Sequence, residues 1–150
     1  MLYEWDWVGA EAEFRRALEL SFQNAVAHQR YALLLLLLGR REEALREMEL
    51  AVQDESVPLP VGTIVAYAYY LLRDCRRALE QIDKVIESDP NLYIGRFVRG
   101  NIREQLLGSY EEARADFEAG VTLSNRNAFM LGALGHCYGA MGKSLTRRRC

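Results

Sequence analysis

The sequence predicts an all-α protein, a solenoid of antiparallel helical hairpins with about eight helices. Three observations predict it. Ala10, Ala44 and Ala78 are spaced 34 residues apart and Ala113 follows after 35, and a fixed period of this length marks stacked copies of one supersecondary unit. Each alanine opens the same pattern: a bulky residue four positions on (Phe14, Met48, Ile82, Phe117) and a small or branched one three further (Ala17, Ala51, Val85, Gly120). Turn-forming residues recur between the patterns, at Gly39, Gly108 and Ser88-Asp89-Pro90-Asn91.

The units follow in order. Residues 5–24 are a half repeat, in which Trp5–Leu20 is a second helix with no first helix before it. Residues 25–58 are a full repeat. Ala25–Leu38 is stopped by Gly39, which accepts a left-handed backbone at little cost. In Arg41–Asp54, Ala44, Met48, Ala51 and Val52 fall on one helical face. Residues 59–92 are the next repeat, entered through Ser56-Val57-Pro58-Leu59-Pro60; its internal turn carries Arg73 where Gly is expected, followed by Asp74. Residues 93–127 hold the extra residue of the 35-residue spacing. The end of the first helix is its expected place, because Gly108 also arrives one residue late. Residues 128–142 are a closing half repeat, a first helix only, and 143–150 are a tail.

Composition excludes several function classes. The net charge is −2, and the only basic run is Arg147-Arg148-Arg149, so no nucleic-acid partner is expected. Cys75, Cys137 and Cys150 are odd in number and form no C-x-x-C, which points to reduced thiols and a cytoplasmic protein with neither disulfide framework nor zinc site. The leucines from Leu33 to Leu38 are too few to span a bilayer, and no signal peptide precedes Glu4 and Asp6, so no membrane partner is expected.

The residues that carry the period resemble a tetratricopeptide repeat array. Leu134-Gly135 with Tyr138 and Gly142 match that family's first-helix signature, and Ala78-Leu79, Ile82, Val85-Ile86 and Asp89-Pro90 match its second. The resemblance covers residues 5–142. It implies a right-handed superhelix whose first helices line a concave binding face. Departures are Gly62 and His28 in place of large aromatics, Phe22 and Ser56 in place of Pro, and Arg99 in place of Leu. The segment Trp5-Asp6-Trp7-Val8-Gly9-Ala10 through Leu20 is also similar to repeats of bacterial signalling regulators, in which the array follows an adenylate-cyclase, kinase or winged-helix domain.

No catalytic set emerges from what the period leaves over, and no cofactor or metal is expected. His28 and His136 lie on different first helices, and Cys75 sits in a turn beside Asp74 and Arg76. Gly142-Lys143-Ser144 lacks both the earlier glycine and the strand that a phosphate-binding loop needs.

Interaction is therefore the expected function. The first helices offer Gln29, Arg30, Leu33, Leu36, Leu37, Thr63, Ile64, Tyr67, Tyr70, Leu71, Phe97, Val98 and Asn101 as a partner-binding groove, with Glu104, Gln105 and His136 beside them. The resemblance implies a clamp of Lys, Arg and Asn in members that grip acidic chaperone tails; Leu33, Ile64, Ile94 and Val98 stand there instead. The groove suits a largely apolar peptide, extended or helical. The alternatives are a small-molecule sensor domain of a transcription or cyclase regulator, and a purely structural oligomerisation element. The last helix has no charge from Ala128 to Gly142 and carries Phe129, Met130, Leu131, Leu134, Tyr138 and Met141. Two readings of it compete: a missing second helix covers this face, or another copy pairs with it as a homodimer.

Overall fold

A computed structural model describes residues 6–53 and 57–147, with side chains through residue 142. Trp5, Asp54, Ser56 and residues 148–150 lie outside the described residues. Among the described residues all regular structure is helical: α1 (Trp7–Leu20), α2 (Ala25–Leu37), α3 (Arg41–Ala51), α4 (Leu59–Leu71), α5 (Cys75–Ser88), α6 (Tyr93–Asn101), α7 (Tyr110–Leu123) and α8 (Ala128–Arg147). Helix α6 runs straight into a π-helical turn, Ile102–Leu107. The chain forms two compact units, Met1–Val65 and Ala66–Cys150, divided within α4.

Local sequence sets the boundaries. The side chains of Asp6, Asn24 and Asp74 cap α1, α2 and α5 by accepting from the backbone N–H groups of Gly9, Ala27 and Arg77, donors that a helix start otherwise leaves without partners. Each hairpin turn holds one residue with positive φ: Gly39 at 74°, Arg73 at 61° and Gly108 at 66°. In the first two turns the next N–H closes back over five residues, Arg40 to the Leu35 carbonyl and Asp74 to the Tyr69 carbonyl. In the third, Ser109 reaches back over six, to the Arg103 carbonyl. The extra residue of the 35-residue spacing thus sits at the end of the first helix, taken up by the π turn.

Two sequence boundaries move. Helix α3 stops at Ala51, short of Asp54. Helix α8 passes Gly142 and continues to Arg147, into residues read as a tail. No Pro follows Gly142, and Lys, Leu and Arg all favour a helix.

The alanine ladder is the seam of the packing. Ala44, Ala78 and Ala113 each have 0% exposure, because a methyl group is all that fits where two helices cross. In the first unit, Tyr31, Ala32 and Leu35 of α2 are buried with Met48 and Ala51 of α3, and the Phe14 ring of α1 stacks on Tyr31 at 6.0 Å. In the second unit, Ala113, Phe117 and Val121 of α7 form a core with Met130 and Cys137 of α8, and Phe97 and Leu134 pack against it. Burying the Phe117 ring contributes about 2–3 kcal/mol.

Candidate functional site

The sequence-derived groove residues divide by burial. In the first unit, Arg30 and Leu37 of α2 are exposed, Leu33 and Leu36 are half-buried, and Gln29 is buried. On α4, Ile64 is exposed, while Thr63 is buried and its hydroxyl donates to the Leu59 carbonyl at 2.8 Å. In the second unit, Tyr67 and Leu71 are exposed, Tyr70, Phe97 and Asn101 are half-buried, and Val98 is buried at 3%. Gln29, Thr63 and Val98 are therefore corrected to packing positions. Helical periodicity locates a face only to within about one residue step, and these three fall on its inner edge.

The second unit keeps its aromatic side chains close together. The Tyr67 and Tyr70 rings lie 5.5 Å apart. Phe97 meets Phe129 of α8 at 4.4 Å, which brings a residue expected in the groove against one expected on the self-association face, and Phe129 stays 53% exposed. Of the other residues expected on that face, Met130 is fully buried, and Leu134 and Met141 pack on the α7 core. Leu131 and Tyr138 stay exposed, the Tyr138 hydroxyl donating to Glu118 at 2.9 Å.

Glu104, in the π turn, is buried at 5%. Its Oε1 is shut off from solvent and has no hydrogen-bond donor among the described residues. The Nδ1 of His136 is 3.0 Å away but off the line a hydrogen bond needs, and that imidazole is 65% exposed. Tyr70 lies within electrostatic reach. Burial, Tyr67 and then the charge of Glu104 push its hydroxyl pKa up.

A second buried acid is fully engaged. Asp116 of α7, 3% exposed, accepts from Arg99 and from Arg103 Nη1 at 2.7 Å, with Arg96 3.6 Å away. Arg99 also reaches Asp83 of α5 at 2.8 Å. Burial lowers the Arg99 pKa, but Asp116 and Asp83 more than offset this and leave it raised. In the first unit Glu11 plays a similar part, accepting from Tyr31 at 2.9 Å and from Arg15 and Arg40 at 2.6 Å. His28 is buried with both ring nitrogens engaged, Nδ1 with Glu47 at 2.6 Å and Nε2 with the Phe22 carbonyl at 2.7 Å. It borders an open cleft of about 530 Å³ that includes Phe22, Gln23 and Gln53, and it has no free nitrogen to offer a ligand there. Among the described residues no His, Cys, Asp and Glu group of three or more could hold a metal ion. No described helix is long and apolar enough to cross a membrane.

No family model and no curated protein matches the sequence. Solved structures do match. MamA superposes with a TM-score of 0.74 at 14% identity, over 91% of this chain and 80% of that one. TTC0263, a tetratricopeptide repeat protein of Thermus thermophilus, gives 0.72 at 23% identity over 91% and 75%. YrrB, described as a tetratricopeptide repeat protein with an unusual peptide-binding site, gives 0.68 at 20% identity over 91% and 70%. The chain has the tetratricopeptide repeat fold.

Two departures from the repeat pattern now have physical reasons. Arg99 replaces the usual Leu because it spans from Asp83 on α5 to Asp116 on α7. His28 replaces an aromatic and keeps an aromatic contact, its ring edge-on to Phe22 at 5.7 Å. The arginine cluster was not singled out from sequence. Its signal was there: Arg96, Arg99 and Arg103 recur at helical spacing on one first helix.

Proposed function

We propose that the chain is a protein-interaction module that binds an extended or helical segment along its first helices. The supporting observation is where apolar side chains remain in water. In the second unit the first helices leave Leu71 56%, Phe129 53% and Tyr67 41% exposed, whereas the second helix α5 leaves no large apolar side chain exposed and α7 leaves Leu123 at 37%. In this unit hairpin packing takes up most of the apolar surface of the second helices, and apolar surface left over mainly on one set of elements marks an interface. The peptide-binding site of YrrB, on the same fold, is consistent with this reading. Tyr67 and Tyr70 are the anchors, each a large ring with a polar tip.

The test is selection of ligands from a displayed library of random peptides, followed by titration. Tyr67→Ala with Tyr70→Ala should weaken a selected peptide at least about tenfold while helicity is unchanged. Equal affinity with intact helicity rejects the surface.

A second surface is proposed on α8 for another copy of the chain. Leu131 and Tyr138 are exposed there, and apart from the adjoining backbone of α8 itself no atom of the described residues lies within 4 Å of where a Cβ would stand at Gly132, Gly135, Gly139 or Gly142. Light scattering should show mass rising with concentration, and a constant monomer mass rejects it.

A further inference from the structure

We propose that Glu104 selects the partner by charge, taking a Lys or Arg side chain of the bound peptide. This rests on the interaction reading above and adds the chemistry of the ligand. The contrast between the two buried acids of the second unit carries it. Asp116 is saturated by the guanidinium groups of Arg99 and Arg103. Glu104 is equally buried, yet its Oε1 has no hydrogen-bond donor among the described residues. A carboxylate removed from water is costly unless donors surround it, so this oxygen, covered from solvent with His136 Nδ1 3.0 Å away, is an acceptor that a cation can take once that ring moves.

The surroundings fit a cationic visitor. The basic group next to Oε1 is His136, whose exposed ring can swing away. Two other cations of the same helix, Arg99 and Arg103, are committed to Asp116. The tyrosine pair of α4, with Tyr70 in electrostatic reach of Glu104, offers ring faces that attract a cation and its apolar stem. The π turn itself supplies the placement, since π turns re-aim side chains within a helix and recur at functional sites.

The experiment uses the full chain and its Glu104→Gln variant, each screened against the same displayed library of random peptides. The expected result is a fixed Lys or Arg between apolar residues for the parent chain, and the apolar residues without the cation for Glu104→Gln. A synthetic selected peptide with its cation replaced by norleucine should bind the parent at least about tenfold more weakly. That comparison needs only the parent protein, so it holds even if the variant folds poorly. Apolar peptides without a shared cation, selected equally by both proteins, would overturn the role of Glu104 and leave the interaction surface standing. No selected peptide at all would overturn both.

Discussion

Arg99 holds Asp116 through three hydrogen bonds, its Nε to both carboxylate oxygens at 3.1 and 3.0 Å and its Nη2 to Oδ1 at 2.7 Å. The pair joins the first helix of one hairpin to its second. Asp116 is buried, so removing its charge strands guanidinium groups that burial has already stripped of water. Asp116→Asn should lower stability by about 3 kcal/mol in urea unfolding. The double change Arg99→Leu with Asp116→Leu should recover much of that loss, because an apolar pair of similar volume suits the same space. A single variant as stable as the parent would show that the cluster contributes no net stability.

Gly100 and Gly120 both sit at close approaches, but their neighbours differ. A methyl group at Gly100 would meet the fully buried Phe117 ring, with the nearest atom at 2.5 Å. At Gly120 it would meet the terminal methyl of Met130, which can rotate aside. Gly100→Ala should cost about 2–3 kcal/mol and Gly120→Ala clearly less. Thermal unfolding of the two variants ranks them, and the reverse order would contradict this account of the packing.

Arg73 occupies a left-handed turn position, φ 61°, that Gly39 and Gly108 fill in the other hairpins. A side chain there is strained by its own Cβ. Arg73→Gly should raise stability by about 0.5–1 kcal/mol, the relief exceeding the entropy that glycine gains in the unfolded chain. A fall in melting temperature would show that the Arg73 side chain makes an offsetting contact.

Stability should depend on pH through Glu11 and Glu43. The hydrogen bonds from Arg40 and Tyr31 hold the Glu11 carboxyl below the ordinary carboxylate range, and a hydrogen bond from Arg40 does the same for Glu43. A carboxyl whose pKa is depressed on folding adds stability above its unfolded value and loses it as pH falls through the folded one. The gap between the parent and Glu11→Gln should therefore be full at neutral pH and shrink below about pH 4. Unfolding measured across that range checks it, and a gap that is constant with pH would contradict it.

The repeat, the hairpin turns and the displaced residue near Gly108 were all legible in the sequence, because period and turn chemistry are local. The groove was legible as a set of helices, less so residue by residue. Gln29, Thr63 and Val98 sit one step too far inward, a difference that depends on how neighbouring helices cross. Met130 could not be told from Leu131 by hydrophobicity, yet one is buried under Gly120 and the other is exposed. Glu104 was legible as a residue beside the groove, but nothing local marked its burial. Its burial depends on the π turn, which appears only once the chain has to fit one residue more between Ala78 and Ala113.

That turn has a consequence for how such an array tolerates change in length. In an ordinary α-helix one added residue rotates everything after it by about 100°, enough to aim Ala113 and Phe117 away from their partners. Here both remain at 0% exposure. The widened turn absorbs the insertion where it occurs, so the chain preserves angular phase from helix to helix even where it does not preserve residue count.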